Sequence, residues 1–88
     1  MKKVVTVQEV DGEGLVALLD KYVTVWCVNY IYSGKLSGVN DADILLTDAC
    51  VVYETGGLCA NKFERSEPLP KPHYIRTSAI ESYGQRGF

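Results

Sequence analysis

Few residues in this chain have the type and spacing to do covalent chemistry. Among its 88 residues are three cysteines, Cys27, Cys50 and Cys59, and one histidine, His73. A structural zinc site asks for about four closely grouped ligands, and these four form no C-x-x-C pair, so no metal or other cofactor is expected. His73 has no cysteine or serine in a recognisable setting beside it, which leaves nucleophilic catalysis without a candidate, and an enzyme is not expected. Gly34-Lys35-Leu36 is not a phosphate loop, because it lacks the earlier glycine of that motif and lies inside a strand-like run. Lys62, Arg65 and Lys71 gather positive charge in one stretch, but Glu64 and Glu67 lie among them, the pattern of a solvated loop. Trp26 and the six tyrosines fall mostly in strand-like runs, where aromatic rings serve cores and subunit contacts.

Composition narrows the class further. Eleven acidic against nine basic residues give a net charge of −2, so nothing in the overall field draws the chain to nucleic acid or anionic lipid. Any such partner has to be met by a local patch. A chain of this length forms one domain, spanning 1–88, and buries only roughly 60–70% of the surface it exposes when unfolded, which makes oligomerisation a natural route to stability. The odd cysteine count, with Cys27 and Cys50 inside strand-like runs, fits buried reduced thiols. Lys2 and Lys3 are not followed by an apolar signal region, and no run approaches the ~18 apolar residues of a spanning helix, so a cytoplasmic protein without a membrane partner is expected.

The elements that must position any site are organised around residues 22–53. This stretch is rich in Val, Ile, Leu and Tyr and is interrupted at Asn29-Tyr30, at Gly34 and Gly38, and at Asn40-Asp41, so it predicts three consecutive antiparallel strands at 22–28, 30–39 and 42–53. In the first, Val23, Val25 and Cys27 alternate with Trp26 and Val28, which implies burial on both faces. In the second, Leu36 and Val39 have opposite parity, and a bulge between them would place both inside. In the third, Ile44, Leu46, Cys50 and Val52 are expected on one face, with Leu45, Val51 and Tyr53 on the other. Before the meander, residues 3–10 read as a short strand, Asp11 as a helix N-cap, and Leu15, Leu18, Leu19 and Tyr22 as the apolar face of a helix over about 13–20. After it, residues 55–72 read as a long surface loop with Pro68, Pro70 and Pro72. Two short strands follow at 73–76 and 79–83, and 84–88 read as a frayed tail.

With its elements in this order, the chain resembles the Sm-like family, the LSm and Hfq-type proteins. The first motif of that family is matched by Gly34-Lys35-Leu36, by the turn Asn40-Asp41-Ala42-Asp43, and by Ile44-Leu45-Leu46-Thr47-Asp48-Ala49. The second, I-R-G-x-x-I, is matched by Ile75-Arg76-Thr77-Ser78-Ala79-Ile80. The likeness covers residues 13–83. It implies a mainly β protein of Sm-like fold, in which a short N-terminal α-helix precedes a strongly bent five-stranded antiparallel barrel. It also implies a homo-oligomeric ring of about five to seven subunits, closed by pairing the last two strands across neighbours.

The same resemblance implies single-stranded RNA, U-rich or A-rich, as the partner, and a role as an RNA chaperone or processing accessory. The RNA-binding residues would be Asn40, Asp43, Arg76 and Thr77, with Arg76 available for stacking and phosphate charge. This chain departs from the family pattern at three of its site positions. Ala42 replaces the stacking aromatic, Asp43 stands where Asn is usual, and Thr77 replaces Gly. Base stacking is worth about 1–3 kcal/mol per base, so the loss at Ala42 weakens each pocket by up to that much. A second reading therefore stays open: a ring that has lost nucleotide recognition and serves as a protein-interaction or structural assembly, with Arg76 held by Asp41 or Asp43.

Overall fold

The computed structural model describes residues 14–56 and 62–88; the strand expected at 3–10 and the N-cap expected at Asp11 lie outside them. The meander forms as β1 (Tyr22–Cys27), β2 (Ile31–Val39) and β3 (Asp43–Glu54). All pairings are antiparallel, with Val23 opposite Gly34 and Ile31 opposite Val52 among the matched pairs.

The expected bend in β2 is present. The β2–β3 register shifts between Leu36 and Gly38, and again between Ser33 and Lys35. Leu36 is fully buried and Val39 packs against the core from the opposite parity. The second shift has a cause in β3: Ser33 faces Cys50 and Lys35 faces Thr47, so β3 carries one extra residue there, and Asp48 takes up the left-handed backbone at φ 49°. The bulge flips the strand's parity. Ala49 therefore enters the core in the place expected for Cys50, while Cys50 turns to the opposite face beside Ser33.

Residues expected as loop and tail are more ordered than composition suggests. Within 55–72 a strand, β4 (Arg65–Pro68), pairs with the C-terminal half of β3. Its proline ends the strand on the sheet's edge, where a missing N–H is tolerated. β5 (His73–Arg76) then pairs with the N-terminal half of the same β3 edge. After the 3₁₀ turn Thr77–Ala79, β6 (Ile80–Gln85) pairs with β1 and runs beyond the strand expected at 79–83. Nor does the tail fray: the Arg86 N–H donates to the Tyr22 carbonyl at 2.8 Å.

The sheet thus has six strands, in the order β4-β3-β2-β1-β6 with β5 also on β3. The five-stranded closed barrel is not what forms, because β5 and β6 sit at opposite ends of this order and do not pair, so the sheet stays open.

The helix α1 is one turn, Gly14–Ala17. Beyond it the N–H groups of Leu18, Leu19 and Lys21 bond three residues back, a turn-like winding, and Asp20 (φ 66°) reverses the chain. The Asp20 N–H and the Lys21 carbonyl then bond to Leu36, splicing the turn onto β2. This is why the helix is shorter than the 13–20 expected from its apolar spacing. Leu15 and Leu18 still cover the core of Val23, Val25, Leu36, Ile44, Leu46, Ala49 and Ile75.

Burial on the second face differs in its residues from expectation. Trp26 is 38% and Val28 75% exposed, whereas Thr24 and Ser33 are buried. They form a transverse row with Cys50 and Gly84 across four strands, and Arg86 from the tail covers it. Its guanidinium donates to Ser33 Oγ at 3.2 Å and lies 4.6 Å from the Tyr22 ring centroid and 5.0 Å from that of Phe88. Ser33 donates in turn to the Val23 carbonyl at 2.7 Å. Among the described residues, no helix is long and apolar enough to cross a membrane.

Candidate nucleic-acid interface

The turn after β2 is built by a single side chain. Asn40 Oδ1 accepts from the N–H groups of Ala42 and Asp43, both at 2.8 Å, and the Asn40 N–H donates to the Asp43 carbonyl at 3.0 Å. Asparagine suits the position because its short amide mimics a backbone turn. From 36 residues away in sequence, Thr77 closes over the same turn: its hydroxyl donates to the Asp41 carbonyl at 3.0 Å and the Ala42 carbonyl at 3.1 Å, and its N–H bonds to the latter at 2.8 Å. A glycine at 77 would lack that hydroxyl, so Thr77 acts as a clamp on the turn.

The β3–β5 pairing brings the remaining two candidates together. Asp43 lies opposite Arg76, and Ile44 opposite Ile75. Because Ile44 and Ile75 point into the core, Asp43 and Arg76 share the outward face of this ladder. All four residues singled out from the sequence therefore meet at one corner, but in two roles. Asn40 and Thr77 spend their acceptor and hydroxyl groups inside the turn. Arg76 is exposed, and its guanidinium makes no ion pair with Asp41 or Asp43; the one salt bridge among the described residues is Arg65 to Glu54 at 3.5 Å.

A groove of about 270 Å³ runs along β5, bordered by Tyr30, Tyr32, His73, Tyr74 and Arg76. Tyr32 stacks on His73 with centroids 4.9 Å apart, and Tyr30 tilts against Tyr32 at 6.1 Å. Neither this aromatic row nor the position of Tyr74 was singled out from the sequence, where the tyrosines read as a class. The alternation of HYIR around the buried Ile75 is the signal that places Tyr74 and Arg76 on one face.

The reactive groups elsewhere are quiet. Burial pushes the thiols of Cys27 and Cys50 up from their ordinary value, away from the thiolate form. Tyr22 donates to Asp48 Oδ2 at 2.7 Å, and that bond, reinforced by the carboxylate's charge, raises the phenol. Among the described residues no three His, Cys, Asp or Glu side chains group as metal ligands. Compared with known proteins, the chain matches no protein-family model, and no curated protein matches it.

Proposed function

We propose that the protein is a ring-forming, Sm-like RNA-binding protein of the cytoplasm that holds single-stranded RNA at the Asn40–Asp43 turn and acts as a chaperone or processing accessory. The observation that carries this reading is the corner itself. Two segments 36 residues apart in sequence converge on it, and they leave an exposed guanidinium with no ion pair among the described residues beside the turn. Single-stranded nucleic acid is recognised by such pairings of a cation with polar groups that meet splayed bases. The open sheet supports the ring, since its outer edges at β5 and β6 leave backbone groups for a neighbouring copy to pair with. The six-stranded order is compatible with that closure, since β5 and β6 occupy opposite ends.

Titration of labelled oligo-U and oligo-A at two salt concentrations tests the reading. Saturable binding, weakened by Arg76→Ala and by added salt, is the expected result. Absence of binding at roughly tens of micromolar would refute it, since even non-specific sites reach about 10⁻⁴–10⁻⁶ M.

A second reading, a ring that binds protein or serves as a structural assembly, is favoured by one specific feature. Asn40 Oδ1 and the Thr77 hydroxyl, the groups that would read a base, are consumed within the turn. Light scattering that shows rings, together with a silent RNA titration, would favour it.

A further inference from the structure

The corner that the proposed function assigns to RNA carries an inventory of hydrogen-bonding groups that selects among the bases. Asn40 Oδ1 is occupied by two backbone N–H groups, and the Thr77 hydroxyl by two carbonyls. The side chains that keep free capacity there are the Asp43 and Asp41 carboxylates, which only accept, and Arg76 with the Asn40 amide nitrogen, which only donate. Asp43 makes no side-chain hydrogen bond or ion pair among the described residues, and it sits opposite Arg76 on the outward face of the β3–β5 ladder.

That face also holds an aromatic ring. Leu45 pairs with Tyr74 as Asp43 pairs with Arg76, so Tyr74 stands two residues from Arg76, about 6.6 Å along the strand on the same side. It is diagonal to Asp43, at the spacing of about 7–8 Å that aromatic side chains span. Tyr74 is 68% exposed, the most exposed aromatic ring among the described residues. Ala42 provides no ring; Tyr74 does.

Uracil presents two acceptors and one donor on its pairing edge, and a carboxylate meets its carbonyls with repulsion. Guanine presents two adjacent donors, N1–H and N2–H₂, beside the O6 acceptor. A carboxylate takes the two donors in a bidentate pair, and a cation takes O6. We propose, resting on the RNA-binding reading, that this corner is a guanine site: the base stacks on Tyr74, Asp43 accepts from N1–H and N2–H₂, and Arg76 donates to O6 or the adjoining phosphate. The ligand class is single-stranded RNA with unpaired guanine, in place of the U-rich or A-rich RNA that the family resemblance implies.

Fluorescence anisotropy with three labelled hexanucleotides, alternating U and G, alternating U and inosine, and U alone, tests this against the unmodified chain and two variants. The G-containing strand should bind about tenfold tighter than U alone, within the range a bidentate base contact discriminates. Inosine, which lacks the N2 amino group, should fall between. Asp43→Asn should abolish the preference, bringing the G-containing strand down to the affinity of U alone. Tyr74→Ala, at an exposed position that does not support the core, should weaken all three strands by a similar factor, and Tyr74→Phe should restore them. Equal binding of the three strands, or a preference for U, overturns the guanine site and leaves RNA binding standing. A preference for G that survives Asp43→Asn overturns the role of Asp43. Binding of none of the strands overturns both this inference and the reading beneath it.

Discussion

Replacing Gly34 with alanine measures how closely β2 and β3 approach at the bulge. A Cβ built on Gly34 would lie 2.9 Å from Ala49 Cα and 2.9 Å from the Thr47 carbonyl oxygen. Both are backbone atoms of the paired strand, so relief requires the strands to separate. Overpacking of this kind costs about 1–3 kcal/mol. Against it stands the gain from a stiffer unfolded chain and a better strand former, about 0.5–1 kcal/mol. Because both clashing atoms are backbone, the clash wins, with a net destabilisation of up to about 2.5 kcal/mol. Gly38 provides the control on the same strand, since its added Cβ would meet only Leu45 Cβ at an ordinary 3.5 Å. Gly38→Ala should therefore be neutral or more stable, by up to about 1 kcal/mol. Urea denaturation at one fixed protein concentration, which holds any assembly term constant, reads both. In a domain of this size each kcal/mol also moves the melting temperature by about 4–8 °C. Equal stability of Gly34→Ala and the unmodified protein, or equal losses at the two glycines, would refute the bulged register.

Arg86→Met keeps the packed stem but removes the charge over Tyr22 and Phe88 and the bond to Ser33; a loss of about 1–2 kcal/mol is expected by thermal denaturation, with little dependence on salt. Thr77→Val deletes the hydroxyl that bridges the Asp41 and Ala42 carbonyls and should cost about 0.5–1.5 kcal/mol, while Thr77→Ser, which keeps the donor, should stay near the original. Tyr22 is held protonated by its bond to Asp48, so its folded-state value lies above the unfolded one. Its contribution is complete below the ordinary value of 10.0 and is lost as pH rises through the folded one. An alkaline denaturation series should show this loss in the unmodified chain and a smaller one in Tyr22→Phe. At Tyr53, whose phenol is raised mainly by its bond to Glu67, Tyr53→Phe should loosen β4 from β3, seen as faster amide exchange at 65–67 with the core amides unchanged.

Much of this architecture was legible from short-range pattern. Alternation and turn residues were enough for the three-stranded meander, and the opposite parity of Leu36 and Val39 was enough for the bulge in β2. The second bulge was not legible, because nothing about Asp48 distinguishes a left-handed residue from an ordinary strand residue, and its consequence, Ala49 inside and Cys50 outside, runs against hydrophobicity. β4 was hidden by composition. RSEP has no apolar face, and its stability comes from the long free edge that β3 offers, a property of the partner strand. The tail was missed for a similar reason: Arg86 is a surface residue by type, and only the rings around it, Tyr22 and Phe63 from two distant segments and Phe88 from the tail itself, make it an anchor.

At the site, the motif positions identified which residues meet but not what each does. Proximity and availability are different properties, and hydrogen bonds decide between them. Asn40 and Thr77 are near the corner because they build it; their polar atoms are already satisfied by backbone groups two, three and more than thirty residues away. Asp43, Arg76 and Tyr74 are near it because antiparallel pairing with a buried Ile44–Ile75 pair throws them outward together. Under the proposed RNA-binding reading, substitution at the first pair therefore deforms the turn and should change stability and binding at once, whereas substitution at the second group leaves the turn's bonds intact and should change binding alone. Set beside the Sm-like pattern that the sequence resembles, Thr at 77 and Asp at 43 look like losses from a uridine pocket. The geometry gives each a different part: the Thr77 hydroxyl ties down the turn, and Asp43 sets an acceptor-only group on the outward face opposite a cation, which is the arrangement on which the proposed guanine site rests.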